Sequence, residues 1–398
     1  MFFMPIRTVM KANEAAAWAA KLAKPKVIAA FPITPSTLVP EKISEFVANG
    51  ELDAEFIKVE SEHSAISAVV GASAAGVRTF TATASQGLAL MHEVLFIAAG
   101  MRLPIVMAIG NRSLSAPINI WNDWQDSISQ RDTGWIQFYA ENNQEALDLI
   151  LLAYKVAEDE RVLLPAMVGF DAFILTHTVE PVEIPDQEVV DEFLGEYEPK
   201  HAYLDPKRPI TQGTLAFPAH YMEAKYLVWD AMEKARKVID EAFAEFEKRF
   251  GRKYQKIEEY KTDDAEIIFV TMGSLAGTLK DWVDKKREEG YKVGAAKMTV
   301  YRPFPVEEIR ALAKKAKVLG FIEKDISIGL YGAVFIDASA ALVNESERPL
   351  MLDFIAGLGG RDVTFGQLDD ALRIAEEALE KGEVEKPIHW IGLRKELL

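Results

Sequence analysis

Thr34, Glu62, the run Ser85-Gln86-Gly87 and Arg112 are the residues whose types and spacing could do chemistry. They supply a hydroxyl, a carboxylate, an amide beside a glycine, and a guanidinium. Such a set can bind a polar ligand and move protons on it. Each also has a plainer reading. Thr34 or Ser36 can cap the next helix. Glu62 can be a first-turn acid favoured by the helix dipole. Gln86-Gly87 can be only a turn, and Arg112 a surface ion pair. What separates the readings is position, because each group directly follows a short apolar run.

Those runs are Val27–Phe31, Ala54–Val59, Thr79–Ala84 and Ile105–Gly110, with Leu163–Val168 further on. Helical patterns over Glu62–Gly76 and Gly87–Gly100 separate them, as in a parallel α/β sheet covered on both faces. In an open parallel sheet, ligands bind beyond the carboxyl ends of the strands. Four successive strands therefore deliver polar groups to one edge, and unrelated surface residues have no reason to land there four times. Glu60 lies two residues before Glu62. It points to the other face of the strand end and receives no role.

The rest of the chain divides by texture. From Glu180 to Gly213, Pro181, Pro185, Pro199, Pro206 and Pro209 punctuate acidic sequence, which reads as a linker arm. A long helix follows over Tyr221–Phe250, with Met232, Ile239, Phe243, Phe246 and Phe250 on one face and Gly251 as its C-cap. A second α/β unit has strands Ile267–Met272, Val293–Val300, Val318–Ile322 and Leu350–Ile355. The domain reading is 1–180, 181–262 and 263–398.

Composition excludes several classes. None of the 398 residues is cysteine, so disulfides, thiolate zinc sites, cysteine nucleophiles and cysteine-ligated clusters have no place on this chain. A net charge of −16 argues against nucleic acid as a partner. No apolar run reaches the roughly 18 residues of a membrane span, and Glu14 and Lys21 interrupt the N-terminal segment, so a cytoplasmic chain is expected. The histidines show no metal-ligand spacing, and no metal is expected on this chain alone. Absent cysteine with abundant Glu and Lys matches the bias of heat-adapted proteins.

At the strand-end residues the sequence resembles the alpha subunits of pyruvate and related 2-oxoacid:ferredoxin oxidoreductases. Phe31-Pro32-Ile33-Thr34-Pro35-Ser36 is similar to the family's Tyr-Pro-Ile-Thr-Pro-Ser stretch. Glu60-Ser61-Glu62, Ala84-Ser85-Gln86-Gly87, Asn122-Asp123-Trp124-Gln125-Asp126 and Arg131-Asp132-Thr133-Gly134 follow in the family's order. Tyr301-Arg302-Pro303-Phe304-Pro305 and Gly357-Leu358-Gly359-Gly360-Arg361-Asp362 fit its second domain. Phe31 stands where relatives often carry Tyr, and Trp124 where some carry His.

The resemblance implies a pyrimidine-binding thiamine-diphosphate domain followed by a transketolase-C-like α/β domain. It assigns Glu62 to activating the cofactor's aminopyrimidine, and Thr34 and Arg112 to the substrate carboxylate. Ser85, Gln86 and Gly87 would floor the cofactor pocket. The chain has no Gly-Asp-Gly run with a downstream Asn, so magnesium and the diphosphate would be held by a beta subunit. Iron–sulfur [4Fe-4S] clusters would sit on a cysteine-rich delta subunit, beside a gamma subunit, with ferredoxin as acceptor and coenzyme A as co-substrate. Pyruvate is the expected 2-oxoacid. The alternatives are a branched-chain substrate such as 2-oxoisovalerate or another 2-oxoacid, a transketolase-type transferase, and a non-catalytic nucleotide-binding subunit. The glycines at 357, 359 and 360 read either as a phosphate cradle or as a turn.

Overall fold

A computed structural model describes residues 5–199 and 201–398. Its strands in chain order are β1 (Ile6–Met10), β2 (Val27–Ala30), β3 (Glu55–Lys58), β4 (Thr79–Thr83), β5 (Val106–Asn111), β6 (Ile136–Ala140), β7 (Ala166–Asp171) and β8 (Glu180–Ile184). Then come β9 (Ile257–Tyr260), β10 (Ile267–Thr271), β11 (Val293–Met298), β12 (Val300–Arg302), β13 (Val318–Glu323), β14 (Leu350–Ile355) and β15 (Ile388–Trp390).

The first sheet runs β12-β6-β7-β5-β4-β2-β3, parallel except for β12. The four strands that precede the candidate residues are therefore consecutive neighbours. The chain steps outward from β2 to β3, then returns to β4 on the other side of β2. That reversal opens a crevice between β2 and β4, where ligands of doubly wound sheets bind. Strands β4, β5 and β7 are buried along their whole length, which explains why none of them alternates apolar with charged residues. Alanines 15, 16, 19 and 20 of the helix Ala12–Ala23 are fully buried, and their small side chains let it lie close to the helix Asn143–Ala157.

The second sheet runs β15-β14-β13-β10-β11-β9, parallel except for β9. Two expected strands differ. The run Leu163–Val168 becomes β7 only from Ala166 on, after Leu163 at φ 44°. The run Val293–Val300 is not a single strand: β11 ends at Met298, and β12 crosses to pair with β6 in the first sheet. Val300 and Phe138 are both fully buried there. The run carries no glycine or proline at Met298–Val300, so nothing local marks the point where it changes sheets. The proline-punctuated segment also carries more order than a linker. Strand β8 pairs antiparallel with β1, burying Val182 and Ile184 at alternate positions. The short helix Gln187–Leu194 then buries Val190 and Phe193. The long helix spans Pro218–Phe250 and ends on Gly251 at φ 74°, a left-handed cap.

Two buried charge clusters join these layers. Lys297 Nζ lies 2.9 Å from Glu141 and 3.0 Å from Glu258 and also pairs with Glu145, while Lys280 bridges Glu141 and Glu258 at 2.9 Å each. The three carboxylates converge as closely as metal ligands do, yet the Lys297 ammonium already occupies the space between them. In the second cluster Glu323, Asp325 and Asp353 cap the buried N-terminus of the helix Ala333–Leu342. Glu323 accepts from Val334 and Phe335 N–H, Asp325 from Ala333, and Asp353 from Gly332.

Burial raises these carboxyls, Asp325 to about 6 and Asp353 to about 7, and the neighbouring Asp325 charge adds to the rise at Asp353. Oδ1 of each is buried without an acceptor or donor. The folded chain thus keeps protons that the unfolded chain has lost, and stability falls as pH rises from the ordinary carboxyl range through about 7. Asp353→Asn has no such proton to lose. Its stability relative to the native chain is expected to improve as pH is raised from about 5 to about 8. Urea unfolding at the two pH values checks this, and an unchanged difference would mean that Asp353 holds no proton.

Candidate active site

The helix Glu62–Ala74 starts where the chain leaves β3. Ser61 caps it by accepting from Ser64 N–H, which places Glu62 in the first helical position. Glu62 is 7% exposed, and among the described residues its carboxylate has no hydrogen-bond partner. It lies against Gly87: a Cβ built on Gly87 would sit 2.6 Å from Glu62 Oε1 and 2.5 Å from Thr83 Oγ1. Only glycine leaves this cradle open.

The Ser85-Gln86-Gly87 turn after β4 is held in an uncommon conformation. Ser85 has φ 50°, its N–H donates to Asp126 Oδ2 at 2.9 Å, and its hydroxyl donates to Ser113 O at 2.5 Å. Ser85 is thereby committed to the protein. Its neighbours are not. Gln86 Nε2 and Thr83 Oγ1 are buried with no partner among the described residues. Buried donors without partners are costly, and their concentration beside an open cradle marks a place built for a polar ligand.

Arg112 follows β5. Its Nη1 donates to Thr34 O at 2.9 Å and its Nε to Asn119 O at 3.1 Å. Nη2 has no partner among the described residues. Burial lowers the guanidinium pKa from its ordinary value, and the nearby Asp126 carboxylate opposes the shift; the group stays charged. Thr34 is exposed; its carbonyl meets Arg112, and its hydroxyl has no partner among the described residues. The geometry thus joins Thr34 to Arg112, Arg112 to Ser85, and Gly87 to Glu62.

The link between Arg112 and Ser85 is Asp126, which no local sequence signal singled out from its polar run. It is fully buried. Oδ2 accepts from Ser85 N–H and Arg112 N–H at 2.9 and 3.0 Å; Oδ1 accepts from Asn111 Nδ2 and Ser127 N–H at 2.9 and 2.7 Å. Desolvation raises its pKa to about 6, and four donors oppose that rise. One carboxylate therefore ties the end of β4 to the end of β5.

The second domain braces the same rim. Gly359 O accepts from Asn119 Nδ2 at 3.0 Å, and Gly359 N–H donates to Asp123. A Cβ on Gly359 would lie 2.6 Å from Asn119 Nδ2. The glycine run is thus a turn pressed on the segment that holds Arg112, with its Gly359 amide already used. Trp124 is fully buried and donates from Nε1 to Asp171 Oδ1, which with Lys324 and Ser274 pins the two sheets together.

Residues 18–244 match the family model "Pyruvate flavodoxin/ferredoxin oxidoreductase, thiamine diP-bdg", and residues 265–368 match "Pyruvate:ferredoxin oxidoreductase core domain II". The chain is 95% identical over 395 residues to the pyruvate synthase subunit PorA of Pyrococcus abyssi, covering 99% of this chain and all of that one. It is 50% identical over 396 residues to the ketoisovalerate oxidoreductase subunit VorA of Pyrococcus horikoshii, covering 99% of this chain and all of that one. Among solved structures it resembles a 2-oxoglutarate:ferredoxin oxidoreductase from Magnetococcus marinus, with TM-score 0.71 and 19% identity over 92% of this chain; the match spans 65% of that longer chain. No described helix is long and apolar enough to cross a membrane.

Proposed function

Because the chain belongs to the pyruvate (2-oxoacid):ferredoxin oxidoreductase family, we propose that Thr34, Glu62, Gln86, Gly87 and Arg112 form its half of a shared reaction centre. The enzyme oxidatively decarboxylates pyruvate with coenzyme A, giving acetyl-CoA and CO2, and passes the electrons to ferredoxin; this chain is catalytic only with partner subunits. Residues 1–180 act as the pyrimidine-binding unit and 263–398 as the transketolase-C-like unit, with 181–262 between them.

Thiamine diphosphate, when bound, supplies an electron sink for the carbanion left by decarboxylation. The Gly87 cradle and the unpartnered Gln86 amide and Thr83 hydroxyl fit its aminopyrimidine. Glu62, largely buried and unpaired among the described residues, holds and returns a proton at its carboxylate toward that ring. Arg112 offers Nη2, and Thr34 its hydroxyl, to the substrate carboxylate that leaves as CO2. Asp126 and Ser85 position these groups and touch neither ligand. The absence of cysteine supports placing the [4Fe-4S] clusters on a cysteine-rich delta subunit, beside a gamma subunit. The missing Gly-Asp-Gly run supports placing magnesium and the diphosphate on a beta subunit. The assembly works in the cytoplasm.

One observation carries the reading: the unbroken set of contacts from Thr34 through Arg112, Asp126 and Ser85 to the Gly87 cradle of Glu62. Turnover of the assembled complex on a panel of 2-oxoacids tests the substrate. Pyruvate is expected to have the highest kcat/KM, and a clear preference for 2-oxoisovalerate would replace that choice.

A further inference from the structure

Among the described residues the Arg112 guanidinium is held at two points, Thr34 O through Nη1 and Asn119 O through Nε. A planar fork held at two points keeps one orientation; held at one, it turns on its flexible stem. Thr34 O belongs to the segment that leaves β2. Asn119 O belongs to a surface loop, so whatever fixes that loop decides where the remaining Nη2 points.

The loop has little of its own to fix it. Residues 115–118 are exposed, and Leu114 to Ile118 take part in no hydrogen bond among the described residues. The chain is caught again at Asn119. Its Oδ1 accepts from Trp121 N–H at 2.7 Å and from Ser113 Oγ at 2.9 Å. A backbone N–H can only donate, so Trp121 fixes which end of the Asn119 amide is oxygen. The nitrogen is left for the second domain, where Gly359 O accepts from Nδ2 at 3.0 Å. Gly359 N–H is in turn taken by Asp123 Oδ2 at 3.3 Å, and a Cβ on Gly360 would sit 2.3 Å from Trp121 Cβ. Glycines at φ 63° and 78° let the second domain's backbone come this close.

We infer that Asn119 is a positioning residue for the reaction, through which Gly359 of the second domain sets the orientation of Arg112 toward the substrate carboxylate. The route runs from Gly359 O to Asn119 Nδ2, through that residue to its carbonyl, and on to Arg112 Nε. Asn119 itself touches neither substrate nor cofactor, and its task rests on the role proposed above for Arg112. A side chain needed only for the loop's own turn would have no use for Nδ2, because Oδ1 alone makes both local contacts. The first domain thus carries a binding group that the second domain aims.

Steady-state kinetics of the assembled multi-subunit enzyme tests this. Asn119→Ala is expected to raise the KM for pyruvate about 3- to 10-fold, the scale of one neutral hydrogen bond, with kcat within about twofold of native. Asn119→Ser separates the link from the turn, and carries the comparison if the alanine variant fails to assemble. Its hydroxyl can still accept the Trp121 N–H, since serine makes the same kind of local turn, but it is one bond too short for Gly359. The same rise in KM is expected. The decisive arm places either Asn119 variant in an Arg112→Ala background, where KM should change by less than about twofold because both residues act on one contact. A rise there equal to the rise in the native background would overturn the inference, as would a native KM for the Asn119 variants. The two readings fail separately. A native KM for Arg112→Ala removes the functional reading and this inference with it, whereas a raised KM there beside a native KM for Asn119→Ser removes this inference alone.

Discussion

Glu62→Gln in the assembled enzyme is expected to lower kcat for pyruvate by about 10²- to 10⁴-fold, the range lost when a positioned proton-transfer group is removed. The substitution is nearly isosteric, so the amide keeps the contact with Gly87 and the place under the Ser61 cap. It removes the one property the surroundings protect, a carboxylate that is largely buried yet used by no hydrogen bond among the described residues. A structural first-turn acid would behave differently. Its loss would cost about 0.3–1 kcal/mol of dipole stabilisation and leave turnover alone. Steady-state kinetics beside a cofactor titration and a thermal melt separates the two. Activity within tenfold of native, with an intact fold, would remove Glu62 from the chemistry.

Arg112→Ala should act on substrate binding. Losing a charge-assisted contact of about 1.5–3 kcal/mol raises the KM for pyruvate about 10- to 150-fold, at about 1.4 kcal/mol per tenfold. The guanidinium spans Thr34 O and Asn119 O and still has Nη2 free, a reach that a single ammonium lacks. Arg112→Lys should therefore recover only part of the loss. Measuring KM and kcat separately decides the matter, because a fall in kcat at unchanged KM would place Arg112 outside carboxylate recognition.

Much of this site was legible because parallel strands make it so. A short apolar run followed at once by Thr34, Glu62, Gln86 or Arg112 reports a strand end, and strand ends of one sheet share a rim. The order of those strands was not legible. That β3, β2, β4 and β5 are consecutive neighbours follows from crossovers that leave no local mark. Asp126 was hidden for a related reason. It sits in a polar run with no periodicity, and its meaning lies in Ser85 and Arg112, 41 and 14 residues away. Lys297 likewise looks like a surface cation until Glu145, 152 residues earlier, is brought against it. The crossing of β12 into the first sheet is invisible in a run that no turn residue interrupts at Met298–Val300.

By itself the amino-acid order determined the two α/β units, the polar groups at their strand ends and the absence of any thiolate ligand, because backbone periodicity and side-chain chemistry act over a few residues. Tertiary structure alone decided which of those groups meet and which buried carboxylates carry the rim. The free energy of a buried polar group is set by partners that only the folded chain brings within reach.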